Sequence, residues 1–259
     1  MEKVWTIEQG EGPLVASAIH DGHAARPEVA RLLSISEADR LREEDPFTGG
    51  WTAIAPTRVI GRRSRFEVDL NRPRSRAVYV NPEDAWGLEV WKETPPDDLV
   101  SRSLEEHDAF YDAMRRLLSG IRDRHGRFVV LDLHSYNHRR EGPDGPNADE
   151  TENPAVNLGT GNLDRSVWSG VTDRFLGELR AFDFPGGPLD VRENVKFRGG
   201  NFSRWVNETF PGEGCSLAIE FKKFFMDEWT GEADRALVDA IGAALRQAAR
   251  GVIEELETG

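Results

Sequence analysis

Short apolar runs alternate along this chain with longer stretches of helical period. Residues 127–134, RFVVLDLH, read as a buried strand, and 215–221, CSLAIEF, as another. Residues 12–20, GPLVASAIH, form a third β-rich run, and 65–71, RFEVDLN, alternate strictly enough to predict a strand with one polar face. Three of the four end on a polar side chain, His134, His20 or Asn71. Between them the period lengthens. Ser-Leu-Glu-Glu from Ser103 predicts a capping box between Ser103 and Glu106, and Phe110, Met114, Leu117, Leu118 and Ile121 then fall on one helical face. Gly126 marks the end of that helix, with Arg122, Arg124 and His125 near its negative pole. Leu237, Ile241, Ala244, Leu245, Ala248 and Val252 form a similar stripe, which predicts a long amphipathic helix from about Glu232; residues 34–45 predict a shorter one.

Strands alternating with helices predict an α/β layer structure, in which reactive groups gather beyond the carboxyl ends of the strands. His20, His134 and Glu220 stand at such ends. The segment 135–165, rich in Asn, Asp, Gly and Pro, is too long for an ordinary connection and predicts a functional loop.

Composition narrows the picture. With 259 residues and neither a composition break nor a repeat, residues 1–259 are expected to form one domain. A net charge of −13 opposes nucleic acid and anionic membranes as partners. The start, MEKVWTIEQG, lacks the apolar core of a signal peptide, and Cys215 stands alone, so a soluble, unexported, cytoplasmic protein is expected. An anionic small molecule would have to be held by local arginines against the overall field.

The candidate chemistry centres on two histidines. Alone, His20 or His134 would pass for a hydrogen-bonded strand-end residue. Two imidazoles from separate strand ends plus one carboxylate, however, form the three-ligand open site of catalytic zinc. Residues 43–45 offer Glu43, Glu44 and Asp45; Asp45 precedes Pro46, which forces its backbone out of helical geometry, and His23 is the rival ligand. Arg65, Asp69, Asn71 and Arg72 suit either a carboxylate clamp or a structural ion pair of Asp69 with Arg72. Glu220, flanked by Ile219 and Phe221, could carry a proton at the mouth of a metal site. No serine lies in a nucleophile elbow, Cys215 has no catalytic signature, and 159–161 and 198–201 lack the phosphate-loop spacing and read as turns near a ligand.

Taken in order, His20-x-Gly, the turn at Asp45, SRFEVDLNR, LDLHS, NLGTG, VKFRGGN and AIEFKKFFMDE resemble the N-formylglutamate amidohydrolase family over residues 14–230. The resemblance implies an α/β, three-layer fold similar to the zinc carboxypeptidases, with a mixed central β-sheet flanked by helices. It implies one zinc ion held by His20, Asp45 and His134, although manganese, iron or cobalt would suit the same donors. Asn71 and Arg72 would hold a substrate carboxylate, and Arg65 would polarise the scissile carbonyl or bind a second carboxylate. Gly199, Gly200 and Asn201 would line the pocket, with Glu220 as general acid and base. Asp132 would orient an imidazole from behind, and His138, Arg139 and Arg140 would border the entrance. Where family members read Pro-His-Ser-Gly or Pro-His-Ala-Gly, this chain has Ile-His-Asp-Gly-His, so Asp21 and His23 alter the surroundings of the first ligand. The implied reaction is N-formyl-L-glutamate plus water to formate and L-glutamate. A deacylase or carboxypeptidase for another N-blocked amino acid, and a non-catalytic binder of a small anion or metal, are the alternatives.

Overall fold

A computed structural model describes residues 3–258. Its centre is a seven-stranded sheet in the order β1-β3-β2-β4-β7-β5-β6. The strands are β1 (Trp5–Glu8), β2 (Leu14–Ala18), β3 (Thr57–Gly61), β4 (Phe128–Tyr136), β5 (Val156–Gly159), β6 (Val191–Glu193) and β7 (Gly214–Lys222). The sheet is mixed: β2 runs parallel to β3 and β4, and β4 to β7, whereas β1 and β5 run antiparallel to β3 and β7. The expected α/β fold with a mixed sheet between helices is what the chain adopts.

Side-chain alternation gives the two faces of the sheet different tasks. Leu14, Ala16, Val129, Leu131, Leu133, Cys215, Leu217, Ile219 and Phe221 point to one side and pack with α5 (Arg165–Ala181) and α7 (Arg235–Thr258). On the other side, Val15, Phe128 and Val130 pack with α4 (Asp97–His125) and α6 (Asn201–Thr209). Further along this second face the residues become Ser17, Asp132, His134 and Glu220. The continuous apolar spelling of β4 therefore conceals one dry face and one that changes character along its length. Among the described residues no helix is long and apolar enough to cross a membrane.

Two expectations fail for identifiable reasons. Residues 65–71 are a series of turns, not a strand. Phe66, Val68 and Leu70 are buried as the alternation implies, but so are Glu67 and Asp69, because Glu67 pairs with Arg26 and Arg63 and Asp69 turns into the sheet's polar end. A period of two arises here from apolar packing on one side and buried ion pairs on the other. The capping box at Ser103 is also absent. The helix begins at Asp97, after Pro96, and Ser103 is a buried interior residue whose hydroxyl accepts from the Arg26 guanidinium at 2.6 Å. Gly126 ends α4 with φ of 74°, as its position suggested.

The expected short helix is α2 (Glu37–Glu43), capped by Ser36. The long C-terminal helix starts at Arg235, where the Asp234 carboxylate accepts from the amides of Ala236 and Leu237. The segment 135–165 contains the end of β4 and all of β5, so the irregular connection is confined to 137–155. Two short helices, α1 (Pro27–Leu32) and α3 (Thr48–Trp51), flank α2 in the connection from β2 to β3.

Leu217→Ala, in the middle of β7, removes a fully buried side chain from the dry face. It is expected to cost about 2–5 kcal/mol in urea unfolding with little change in the slope of the transition.

Candidate metal centre and active site

Three chain segments converge beyond the carboxyl ends of β2, β4 and β7. β2 ends at Ala18 and the chain carries His20 just past it, while His134 and Glu220 lie opposite each other in register on β4 and β7. After α2 the chain turns through Asp45, Pro46 and Phe47, the last in left-handed conformation with φ of 73°. The Asp45 amide donates to the His20 carbonyl at 3.0 Å, which ties this turn to the end of β2. Gly22 is required close by, since a Cβ there would lie 2.3 Å from the Arg62 backbone. Asp21, one of the departures in this stretch, accepts from the Gly49 amide at 2.9 Å at the start of α3.

His20, Asp45 and His134 are all buried, and one potential ligand atom from each lies within 4.8 Å of the others. The shared atom is Asp45 Oδ2, 2.9 Å from His134 Nδ1 and 3.5 Å from His20 Nδ1. The outer nitrogens of both rings are also occupied. His20 Nε2 donates to Asp69 Oδ1 at 2.7 Å, and His134 Nε2 lies 3.1 Å from Asp132 Oδ2. Asp132 is itself held by the hydroxyls of Ser17 at 2.8 Å and Ser203 at 3.0 Å. A neutral imidazole that donates from Nε2 presents a lone pair at Nδ1. Two such lone pairs facing a carboxylate oxygen repel unless a proton or a cation lies between them. The donor set therefore fits a divalent metal, whose ligands about 2 Å from the ion stand roughly 3–4 Å apart, with each imidazole backed by a carboxylate.

The electrostatics follow from an excess of buried anions. Burial alone would raise Asp45, but hydrogen bonds from His134 and His20 hold it well below the usual carboxylate range. Burial disfavours a charged His134, yet Asp132 and Asp45 outweigh this and raise its pKa well above the ordinary imidazole value. Asp69 is likewise driven down against burial by Arg65 and His20. Glu220 moves the other way: desolvation, reinforced by Asp45 and Asp132, pushes its carboxyl up to about 8 against the pull of His134.

A cavity of about 140 Å³ opens over this cluster, walled by His20, Asp45, Arg65, Asn71, His134 and Glu220 among others. Arg65 is anchored at every nitrogen: Nε donates to Tyr79 Oη at 3.2 Å, Nη1 to the Glu43 carbonyl at 3.2 Å and Nη2 to Asp69 Oδ2 at 2.9 Å. Asn71 joins two elements, because its Oδ1 accepts from the Phe202 amide at 2.9 Å at the start of α6 while its Nδ2 lies 3.5 Å from His134 Nε2. Gly200 must be glycine for this contact, since a Cβ would fall 2.3 Å from the Asn71 amide. Arg72, Gly200 and Asn201 are not among the described residues that wall the cavity. The Arg72 guanidinium stands 5.9 Å over the Tyr79 ring with Nε 3.9 Å from Asp69, and the Asn201 amide donates to Tyr111 Oη at 2.7 Å. Glu44 and His23, the rival ligands to Asp45, pair with each other at 2.5 Å, and Ser64 donates to the same carboxylate.

The model of the family described as N-formylglutamate amidohydrolase matches residues 12–226. The chain belongs to that family. The crystal structure of N-formylglutamate amidohydrolase from Ralstonia eutropha JMP134 superposes with a TM-score of 0.71 at 18% identity, covering 98% of this chain and 97% of the other. A gene product from Agrobacterium tumefaciens gives 0.69 at 17% identity, covering 99% and 97%. A metallo-carboxypeptidase from Burkholderia cenocepacia reaches 0.38 at 14% identity, over 95% of this chain and 57% of its own. No curated protein matches.

Membership of an amidohydrolase family directs attention to residues in or behind the cavity wall that the sequence did not single out. Tyr79 donates to Asp69, and Lys223, buried at the end of β7, donates to the carbonyls of Arg42 at 2.5 Å and Glu44 at 2.7 Å. Lys223 thereby holds the chain just before Asp45. Nothing local distinguishes it from Lys222. Trp86, with φ of 56° and 48% exposed, overhangs Arg65 at 4.9 Å. Asp69, expected as a partner of Arg72, lies closer to Arg65 at 2.9 Å and His20 at 2.7 Å than to Arg72 at 3.9 Å.

In the metal-free chain, His134 is expected to remain protonated as the pH rises past its ordinary value of 6.5, as read from its imidazole resonances by NMR. Its contribution to stability is then complete below about 6.5 and lost only as the pH climbs through the raised pKa. An imidazole that titrates at or below 6.5 would contradict the carboxylate pairing.

Proposed function

We propose that this chain is a metal-dependent amidohydrolase that cleaves the N-acyl amide of a small acidic amino acid, with N-formyl-L-glutamate as its substrate and formate and L-glutamate as its products. The observation that carries this reading is the convergence of His20 Nδ1, His134 Nδ1 and Asp45 Oδ2 in a family of amidohydrolases, with Glu220 beside His134 in the strand register. His20, Asp45 and His134 would hold one zinc ion, which when bound supplies a Lewis acid for the formyl oxygen and acidifies water at the site.

The remaining steps belong to the side chains. Glu220 takes a proton from the attacking water and delivers it to the nitrogen as the carbon–nitrogen bond breaks. A carboxyl raised by burial is suited to both halves of that transfer. Arg65, immobilised by Asp69, Tyr79 and the Glu43 carbonyl, directs positive charge toward the scissile carbonyl without having to reorganise. Asn71 holds the substrate's α-carboxylate from the cavity wall beside α6, with Gly200 leaving room for its amide and Arg72 lending positive charge from outside that wall. A small cytoplasmic anion as partner is consistent with these local cations in a chain of net charge −13. A second reading, a deacylase for bulkier N-blocked amino acids, draws on a neighbouring cavity of about 620 Å³ that shares Trp86, Tyr136, Asn137, Arg140 and Phe197 with the first.

Glu220→Gln is expected to retain its zinc and to lose about 10²–10⁴-fold in kcat, measured as metal content beside formate release. Unchanged turnover would remove Glu220 from the mechanism, and preferred cleavage of acetyl or succinyl amino acids would favour the second reading. Asp132→Asn is expected to weaken zinc binding about 10–100-fold by calorimetry while the folded circular dichroism spectrum is kept.

A further inference from the structure

N-formylglutamate carries two carboxylates, and on the reading above Asn71 serves one of them. The fixed cations among the described walls of the cavity are Arg65, Arg140 and Lys223. Arg65 is committed at all three nitrogens, as described above. Lys223 is 1% exposed and spends two of its three donors on main-chain carbonyls, which leaves it no pair of donors for a bidentate contact. Arg140 differs from both. It lies on the irregular connection after β4, its side chain is 55% exposed, and its hydrogen bonds run from Nη1 alone to both oxygens of Glu43, at 2.9 and 3.1 Å. Nε and Nη2 make no hydrogen bond among the described residues.

Glu43 itself is buried, is shared with Arg42 at 3.5 Å, and belongs to the same wall. It steers the Arg140 guanidinium across the mouth of the cavity while leaving the other edge of its fork open. Arg140 also borders the larger outer cavity, so a side chain extending outward from the buried cluster meets it at the junction of the two spaces.

On the reading of the site given above, we infer that Arg140 is the specificity-determining residue that receives the substrate's side-chain carboxylate, through the donors Nε and Nη2. The ligand class is an N-acyl amino acid with an anionic group at the far end of its side chain. A carboxamide in place of that carboxylate would retain the shape and lose the charge-assisted bidentate contact.

The test compares N-formyl-L-glutamate with N-formyl-L-glutamine, which differ only in that group. Both are titrated calorimetrically into the zinc-loaded Glu220→Gln protein, to slow turnover, with and without Arg140→Gln. With Arg140 present, the glutamate ligand is expected to bind at least about tenfold more tightly. With Arg140→Gln its affinity should fall to that of the glutamine ligand, whose own affinity changes less than twofold. Arg140→Lys should restore part of the preference, since it keeps the charge but not the fork. A preference that survives Arg140→Gln, an equal loss for both ligands, or no preference with Arg140 present would each overturn the assignment. Formate release by the unsubstituted enzyme is scored separately. A chain that selects glutamate through Arg140 but yields no formate keeps this assignment and loses the hydrolytic reading, whereas formate release without Arg140-dependent selection does the reverse.

Discussion

The contact of one carboxylate oxygen with two imidazole nitrogens organises this molecule. Asp45 Oδ2 faces Nδ1 of both His20 and His134, while Asp69 and Asp132 occupy the opposite nitrogens of the same rings. Three buried carboxylates around two imidazoles leave negative charge that Arg65 offsets only in part, and unpaired buried charge costs several kcal/mol per ion. Either protons remain on the rings or a cation joins them. The raised pKa of His134 expresses the first outcome, and the donor geometry suits the second.

Holding such a cluster requires a scaffold that is rigid behind it. The sheet face toward α5 and α7 is apolar through the central strands and anchors them. The other face is apolar only where α4 and α6 cover it, then gives way to Ser17, Asp132, His134 and Glu220 at the open end. Connections outside the sheet complete the arrangement. Asn71 reaches from an irregular segment to both α6 and His134, and Lys223 fastens the end of α2 just before Asp45. The surrounding side chains are thus constrained by groups remote in sequence, which limits how far any of them can relax when charge shifts at the centre.

How much of this could be read in advance differed from element to element. β4 and β7 announce themselves as largely apolar runs because both faces of a central strand are covered, whereas the C-terminal helix shows a period of 3.6 because it buries one face. Residues 65–71 misled by their period. Their apolar positions do alternate, but the intervening acids are buried in ion pairs, and alternation does not distinguish a solvated face from a charged interior. Ser103 misled because a local capping pattern says nothing of Pro96 and Asp97 starting the helix earlier or of a distant arginine, Arg26, claiming its hydroxyl.

By itself the sequence determined the layer class, the strand ends that bear His20, His134 and Glu220, and the choice of residue types suited to a divalent metal, since these depend on local pattern and side-chain chemistry. Only the tertiary structure decided that Asp45 joins the two imidazoles while Glu44 turns away to His23. It alone showed Asp69 behind the His20 ring and Arg140 left with open donors at the mouth. Those outcomes depend on which distant groups share a few ångströms of buried space, and electrostatic partnership at that range leaves no periodic trace along a chain.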